Sequence, residues 1–254
     1  MPFRIIPVIL ISNGGVIKTR QFKRPRYVGD PINTVKIFNE KGVDELIIID
    51  IEASKRNEIN FTLVEEIASE AFIPITYGGG IKSIADVERL FSLGIEKISV
   101  NQSIISGCDL LGKCVERYGS QSVVACLDIK KTLFGKYRLY SYITKKLLNE
   151  SISNMIKRLE QHAIGEILIN HVDRDGSMLG YDQELAKFLY ENTSVPLLHL
   201  GGLASLTDLA FLKNLGYSAG CGGSYFVFSG KRDGVLITYP NEAQIIEYIG
   251  NRFE

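Results

Sequence analysis

The first residue that could do chemistry is a carboxylate at the end of an apolar strand. The stretch VVACLDIKK carries Asp128 at the point where a buried strand meets a turn. A carboxyl group there can act as a general acid or base, although an ion pair with nearby Lys130 is the alternative. The opening stretch RIIPVILIS has Leu10 at the comparable place. One of two similar strand ends therefore carries an acid and the other does not.

Glycine-rich loops after apolar strands are the second feature with chemical meaning. They are Tyr77-Gly78-Gly79-Gly80, Gly201-Gly202 and Gly222-Gly223-Ser224. Glycines let backbone N–H groups approach a phosphate, and a helix that begins there adds a favourable dipole. We predict phosphate contacts at Gly202, Gly223 and Ser224, and a weaker site at Gly80 and Asn101, where Asn101 supplies a side-chain donor. The alternative is that these glycines only close tight turns.

The acidic segment DRDGSMLGYD could complete the first of these sites. Gly176 and Ser177 would add donors to the phosphate, and Asp175 would orient the ligand. A solvated acidic turn is the alternative. We expect Asp50 and Lys18 to point toward the same face, Lys18 from a loop.

Composition limits the class of protein. The chain has 254 residues, 45% of them hydrophobic, and a formal net charge of zero, so no global field favours nucleic acid or an anionic membrane. Without a signal peptide or a long apolar run, we expect a soluble cytoplasmic protein. No CxxC pair and no HxxxH or HExxH spacing occurs, so we predict reduced, packed thiols, no metal site and no cofactor. The four cysteines are Cys108, Cys114, Cys126 and Cys221.

Short apolar runs alternate with amphipathic stretches along the whole chain. This alternation indicates parallel strands joined by helices, and eight such units in this length are typical of a TIM barrel. The predicted strands are Arg4–Leu10, Leu46–Asp50, Ile73–Tyr77, Lys97–Val100, Val123–Asp128, Glu166–Asn170, Pro196–Leu200 and Ser218–Cys221.

An internal repeat divides the chain into two halves. PITYGGGIKSIADVERLFSLG (74–94) aligns without a gap on PLLHLGGLASLTDLAFLKNLG (196–216). The same register places Glu45 on Glu166 and Leu10 on Asp128. We therefore expect a single barrel domain over 1–254, built from two tandem half-barrels of about 1–120 and 121–254. One of two symmetry-related positions has lost its acid.

Several segments resemble the HisF family, the cyclase (lyase) subunits of imidazole glycerol phosphate synthase. They are GDPINTVKIFNEKGVDELIIIDIEAS, TYGGGIKS, KISVNQ, VVACLDIK, GEILINHVDRDGSMLGYD and LGGLAS. The similarity spans nearly the whole chain, and DRDG-x3-GYD is specific to this group. It implies a TIM barrel that binds a HisH-like glutaminase at its N-terminal face. Ammonia then passes through the barrel to a bisphosphate substrate at the C-terminal face.

The resemblance also implies roles for individual residues. The family's strand-5 catalytic Asp corresponds to Asp128, and its strand-1 catalytic Asp corresponds to Leu10. Its phosphate contacts correspond to Gly80, Asn101, Gly176, Ser177, Gly202, Gly223 and Ser224. Its charged ring at the bottom of the barrel, an ammonia gate, corresponds to Arg4, Glu45, Lys97 and Glu166. A salt-bridge network that merely plugs the barrel is the alternative for this ring.

The departures from the family point to a particular branch. Leu10 replaces an acid, YSYITKKLLNE replaces a glycine-rich hairpin loop, and the tail reads VFSGKRDGVLITYPNEAQ. The opening RIIPVILIS…GGVIKT…F…GDPIN and the VLITYP tail resemble a divergent branch of HisF homologues that accompany surface-polysaccharide (O-antigen) genes and help to convert an acetamido sugar to an acetamidino sugar. There, a separate ATP-dependent amidotransferase activates the sugar amide. Three hypotheses follow: an ammonia-delivering subunit for sugar amidination, an authentic histidine-biosynthetic cyclase, and a non-catalytic phosphosugar-binding scaffold.

Overall fold

The computed structural model describes residues 2–56, 58–105, 107, 109–230 and 233–251. Its strands, in chain order, are β1 (Arg4–Ser12), β2 (Gly15–Arg20), β3 (Lys23–Gly29), β4 (Leu46–Asp50), β5 (Ile75–Gly78), β6 (Lys97–Val100), β7 (Val123–Lys131), β8 (Tyr137–Ser141), β9 (Lys146–Leu147), β10 (Glu166–His171), β11 (Leu197–Leu200), β12 (Ala219–Gly222), β13 (Phe228–Ser229) and β14 (Gly234–Val235). Parallel pairing runs β1-β4-β5-β6-β7-β10-β11-β12 and returns from β12 to β1. The sheet is therefore a closed (β/α)8 barrel, as the sequence predicted.

Helices cover the outside of this barrel. They are α1 (Pro31–Glu40), α2 (Ala53–Arg56), α3 (Phe61–Glu70), α4 (Ile84–Ser92), α5 (Gln102–Ile105), α6 (Leu110–Tyr118), α7 (Ile152–Gln161), α8 (Gln183–Glu191), α9 (Leu206–Leu215), α10 (Ser224–Val227) and α11 (Glu242–Ile249). Within the described residues, no helix is long and apolar enough to cross a membrane.

Two hairpins lie outside the eight predicted strands. β2 and β3 form an antiparallel hairpin on the end of β1, and β8 and β9 continue antiparallel from the end of β7. The placement of Lys18 in a loop was therefore wrong, because it lies within β2. The sequence held a signal for the first hairpin: Asn13 and Gly14 both have positive φ in a two-residue turn, the conformation that Asn-Gly favours in hairpins.

The repeat has matching local structure in both halves. Ser83 and Asp86 form a capping box at the start of α4, and Ser205 and Asp208 form one at the start of α9. The paired glycines of both halves, 79–80 and 201–202, all have positive φ. These correspondences support the proposal of two half-barrels.

Two apolar cores hold the barrel and its helices. The larger lies between strands and helices, and a smaller one fills the barrel interior. Of the predicted packed thiols, Cys114 and Cys221 are buried, and Cys126 is free and partly buried. Cys108 lies outside the described residues.

Candidate functional site at the C-terminal mouth

Two adjoining cavities open at the C-terminal ends of the barrel strands. The larger has a volume of about 390 Å³ and the smaller about 40 Å³. Four side chains line both cavities: Leu10, Phe22, Asn170 and Leu200. Three of these four are apolar, so the centre of the mouth offers few polar groups to a ligand.

Asp128 lines the larger cavity and is buried. Its Oδ1 accepts a hydrogen bond from Asn170 Nδ2 at 2.9 Å, and its Oδ2 accepts one from Asn101 Nδ2 at 3.2 Å. Burial raises the pKa of this carboxyl to about 7, while the two amide donors oppose the rise. Lys130 Nζ lies 3.9 Å from Asp173 instead, so the alternative of an ion pair with Asp128 was wrong. Asp128 can therefore exchange a proton near neutral pH.

The Asn101 side chain makes hydrogen bonds within the protein. Its Nδ2 donates to Cys126 O at 2.9 Å as well as to Asp128. A phosphate contact at Asn101 stays a prediction. Its chain segment still borders the larger cavity beside Gly80.

Asn170 is a residue that the sequence analysis missed. It lies one residue before the end of β10 and is the direct register partner of Asp128 in β7. Within the described part of the chain, its buried Oδ1 has no hydrogen-bond partner. The signal was present, because Asn170 is the polar residue that closes a predicted apolar strand, as Asp128 does.

The smaller cavity brings together most of the residues predicted for the first phosphate site. It is lined by Gly176, Gly202, Gly223 and Ser224, and also by Lys18. A Cβ atom at Gly223 would lie 2.6 Å from Lys18 Nζ, so the amine sits directly against this glycine. Burial lowers the pKa of Lys18 to about 8, opposed by the charge of Asp175, and the amine stays largely protonated at neutral pH. The cavity thus combines a cation with glycine backbone.

Ser177 is placed less favourably than the other residues of this group. It is not among the residues that line the smaller cavity. Its buried Oγ has no hydrogen-bond partner among the residues described. In the second predicted phosphate site, the backbone N–H of Gly80 already donates a hydrogen bond to Ser54 Oγ at 3.2 Å.

Asp175 connects the DRDG segment to the β2–β3 hairpin. Its Oδ2 accepts hydrogen bonds from Thr19 Oγ1 at 2.7 Å and from Phe22 N at 3.1 Å. Gln21 N donates to its backbone carbonyl at 3.0 Å. The alternative of a solvated acidic turn was wrong for this residue, since burial raises its pKa. Asp175 holds the hairpin tip over the mouth.

Asp50 also lines the larger cavity, but one oxygen of its carboxylate serves its own loop. Oδ1 accepts hydrogen bonds from the backbone N–H groups of Glu52 and Ala53, both at 2.9 Å. Arg56 lies 3.9 Å from Oδ2. Asp50 thus shapes the loop that precedes α2.

Aromatic side chains from both hairpins cover the larger cavity. The sequence analysis did not single them out. Phe22 meets Tyr142 edge-on, with ring centroids 5.6 Å apart, and lies 6.3 Å from Tyr140. Phe22 and Gln21 both have positive φ, which is rare for bulky residues. The contacts with Asp175 hold them in this conformation, which brings the two hairpins together above the mouth.

At the opposite end of the barrel, four charged residues form a closed ring. Arg4 binds Glu45 at 2.6 Å and also binds Glu166, while Lys97 Nζ lies 3.1 Å from both glutamates. Thr76 Oγ1 donates to Glu45 at 2.6 Å. All members of the predicted gate therefore meet in one network.

The barrel interior between ring and mouth is apolar. Its buried core consists of Ile6, Val8, Ile47, Val124, Leu168, Leu198, Ala219 and Cys221. Entry into such surroundings costs an uncharged molecule less free energy than an ion, because the ion would lose its hydration. Two buried histidines, His171 and His199, lie outside this interior, and burial lowers the pKa of His199 to about 3. Across the described residues, no three His, Cys, Asp or Glu side chains are grouped as metal ligands.

The fold and the mouth define a (β/α)8-barrel protein with its ligand cavity at the C-terminal face. The chain belongs to the family described as histidine biosynthesis protein, whose model matches residues 4–232. It is 43% identical over 240 residues to a Pseudomonas aeruginosa protein provisionally named imidazole glycerol phosphate synthase subunit hisF2, covering 94% of this chain and 96% of that protein.

Two further relatives extend this result. A Vibrio vulnificus protein, provisionally named as subunit hisF3 of the same synthase, is 41% identical over 247 residues, covering 95% of this chain and 94% of that protein. The imidazole glycerol phosphate synthase subunit HisF of Streptomyces coelicolor is 34% identical over 241 residues, with 94% and 96% covered. The chain is thus a HisF-like synthase subunit.

Proposed function

We propose that this chain is the ammonia-delivering subunit of a cytoplasmic glutamine amidotransferase that amidinates an acetamido sugar. A glutaminase would dock on the N-terminal face and release ammonia beneath the charged ring. Ammonia would then cross the apolar interior to the C-terminal mouth. The observation that carries the proposal is the closed ring of Arg4, Glu45, Lys97 and Glu166 beneath a cluster of apolar side chains in the barrel interior.

The ring must open for ammonia to enter. Lys97 makes the longer contacts, 3.1 Å to each glutamate, whereas Arg4 approaches the same two carboxylates more closely. Withdrawal of Lys97 would leave both glutamates paired with Arg4, so no carboxylate would lose its only cation. We therefore assign the opening step to Lys97.

At the mouth, Leu10 argues against cyclase chemistry. The family reaction divides its proton transfers between two carboxylates, and an aliphatic side chain cannot move a proton. Leu10 and Asp128 line the same larger cavity, so this cavity lacks the second carboxylate that the family reaction uses. We propose that ammonia is passed on to a separate ATP-dependent amidotransferase, and that Asp128 holds or protonates a ligand rather than completing an acid–base pair.

Phosphate binding is proposed for the smaller cavity. Lys18 supplies charge beside Gly202, Gly223 and Ser224, and a larger residue at Gly223 would displace the Lys18 amine. The ligand is a phosphorylated small molecule, with its phosphate toward Lys18 and the rest of it toward Asp128.

A histidine-biosynthetic cyclase is the second candidate. The identity to the Streptomyces coelicolor subunit and the presence of Asp128, with its pKa near neutrality, favour it. The third candidate is a non-catalytic scaffold that only binds phosphosugars. The closed ring gives it little support, because a scaffold of this kind has no need of an ammonia gate.

The test is reconstitution with the glutaminase encoded beside this chain. Lys97→Ala should leave the barrel folded and the complex intact while glutamine hydrolysis becomes uncoupled from product formation. Lys187→Ala, an exposed change on α8, is the matched control and should behave as wild type. If cross-linking and size-exclusion chromatography reveal no complex with that glutaminase, the proposal fails.

A further inference from the structure

Basic residues are concentrated on the two hairpins at the mouth. We define the basic arms as residues 15–29, which contain β2 and β3, and residues 129–149, which contain the end of β7 with β8 and β9. Together the arms carry eleven of the 29 Lys and Arg residues and no Asp or Glu, in a chain whose net charge is zero. Both arms extend from C-terminal strand ends, so the arms place an excess of positive charge at this face.

Much of this charge is not neutralised within the chain. Seven side chains of the arms are exposed and, within the part of the chain that the structure describes, form no ion pair: Arg20, Lys23, Arg24, Arg26, Lys136, Lys145 and Lys146. Lys130 and Lys131, by contrast, lie near Asp173 and Glu184. Unpaired charges of one sign on one face attract an oppositely charged partner.

An exposed apolar tip accompanies the charge. Leu133 and Phe134 are adjacent at the β7–β8 turn and are 103% and 91% exposed. The turn is ordered, because Thr132 N donates to Lys136 O at 2.8 Å and Gly135 N donates to Thr132 O at 2.9 Å. Two large apolar side chains presented on a fixed turn are typical of an anchor that a partner's pocket receives.

We propose that the basic arms are the docking surface for an acidic protein that covers the mouth, with Leu133 and Phe134 as its apolar anchor. The proposal rests on the proposed function, since the partner is the ATP-dependent amidotransferase that takes up ammonia. A small ligand inside the cavity cannot account for the tip, because neither Leu133 nor Phe134 lines either cavity. A covering protein would also keep ammonia from escaping to water between the arms.

The direct test places a photo-cross-linking amino acid, p-benzoylphenylalanine, at position 134 of the barrel–glutaminase complex in the producing cells. The expected adduct is the amidotransferase encoded with this chain. Position 72 is the matched comparison, because Phe72 is also 91% exposed but precedes β5 at the opposite face, where the adduct should be the glutaminase. An adduct of position 134 with lipid only, or no adduct, overturns the proposal.

Affinity measurements with the purified amidotransferase give a second test. Phe134→Ser should weaken binding about 10- to 100-fold, and Lys136, Lys145 and Lys146→Glu together should weaken it further and reduce its salt dependence. The matched reversal of exposed Lys41, Lys157 and Lys187 should have little effect. Equal binding by all variants, or binding to phosphatidylglycerol vesicles that Phe134→Ser abolishes, overturns the proposal.

The two proposals fail in different ways. Glutaminase binding and activation should be unchanged in Phe134→Ser, because that residue lies at the opposite end of the barrel from the ring. If activation is present and position 134 gives no adduct with the amidotransferase, the docking surface alone is wrong. If position 72 gives no adduct and the glutaminase does not bind, the proposed function is wrong.

Discussion

Asp128 should make the stability of the protein fall as the pH rises. Its carboxyl has an ordinary pKa of 3.8 when unfolded and about 7 in the folded chain, because burial penalises the charged form. Between these values the folded state binds the proton more tightly than the unfolded state, so raising the pH favours unfolding. The contribution is fully present below pH 3.8 and is lost as the pH passes through 7.

The size of the effect follows from the shift. One pKa unit corresponds to about 1.4 kcal/mol. Between pH 5 and pH 8, the wild type should therefore lose about 3 kcal/mol relative to Asp128→Asn, which has no proton to bind at this position. The constant cost of the substitution, which leaves a donor without its acceptor, does not affect this pH-dependent difference.

The assay is urea-induced unfolding of both proteins at half-unit steps from about pH 5 to about pH 9.5, which brackets the expected midpoints. Asn170→Leu removes one donor to the carboxylate, worth about 1.5–3 kcal/mol for a charged group, and should move the midpoint upward by about 1–2 pH units. Leu10→Asn, which changes the same cavity without touching a carboxyl, should parallel the wild type. A flat difference between wild type and Asp128→Asn would refute the reasoning.

Three further predictions concern the mouth. Gly223→Ala should lower the affinity for glycerol phosphate at least tenfold by calorimetry, because its Cβ would displace Lys18 Nζ, while Gly29→Ala, with its nearest contact at 3.6 Å, should not; equal affinities would reject the phosphate site. Leu10→Asp should raise cyclase turnover of the bisphosphate substrate with ammonium by roughly 10²- to 10⁴-fold over a trace wild-type rate; robust wild-type turnover would restore the histidine-biosynthetic function. Asp175→Asn should speed amide hydrogen exchange at the β2–β3 tip with little change in global stability, and unchanged exchange there would contradict its role in holding the hairpin.

The order of strands and helices and the internal repeat could both be predicted from the sequence. Strand–helix alternation requires parallel strands with helical crossovers, and the 74–94 and 196–216 repeat doubles the unit, so the barrel followed from periodicity alone. The end of each strand could also be placed to within a few residues. Residues at equivalent strand ends face the same way in a barrel, which is why Leu10 and Asp128 could be compared before their positions were known.

Other features depended on which side chains meet across the mouth. The sequence marked Lys18, Asp175 and Asn101 as polar residues near a ligand, but their hydrogen bonds are made to Val8, to the β2–β3 tip and to Asp128, respectively. A side chain's partners come from strands and loops distant in the chain, and pattern within one segment carries no information on them.

The sequence by itself predicted a barrel, proposed to consist of two halves, with glycine loops at strand ends and only one of two expected acids, and the family resemblance added the ring of charges. Tertiary structure alone decided the chemistry of that acid. Asn170 is 42 residues from Asp128 in the chain but its direct partner in the barrel. Closure of the barrel removes water from the carboxylate and supplies its two donors, and those two effects together set its pKa.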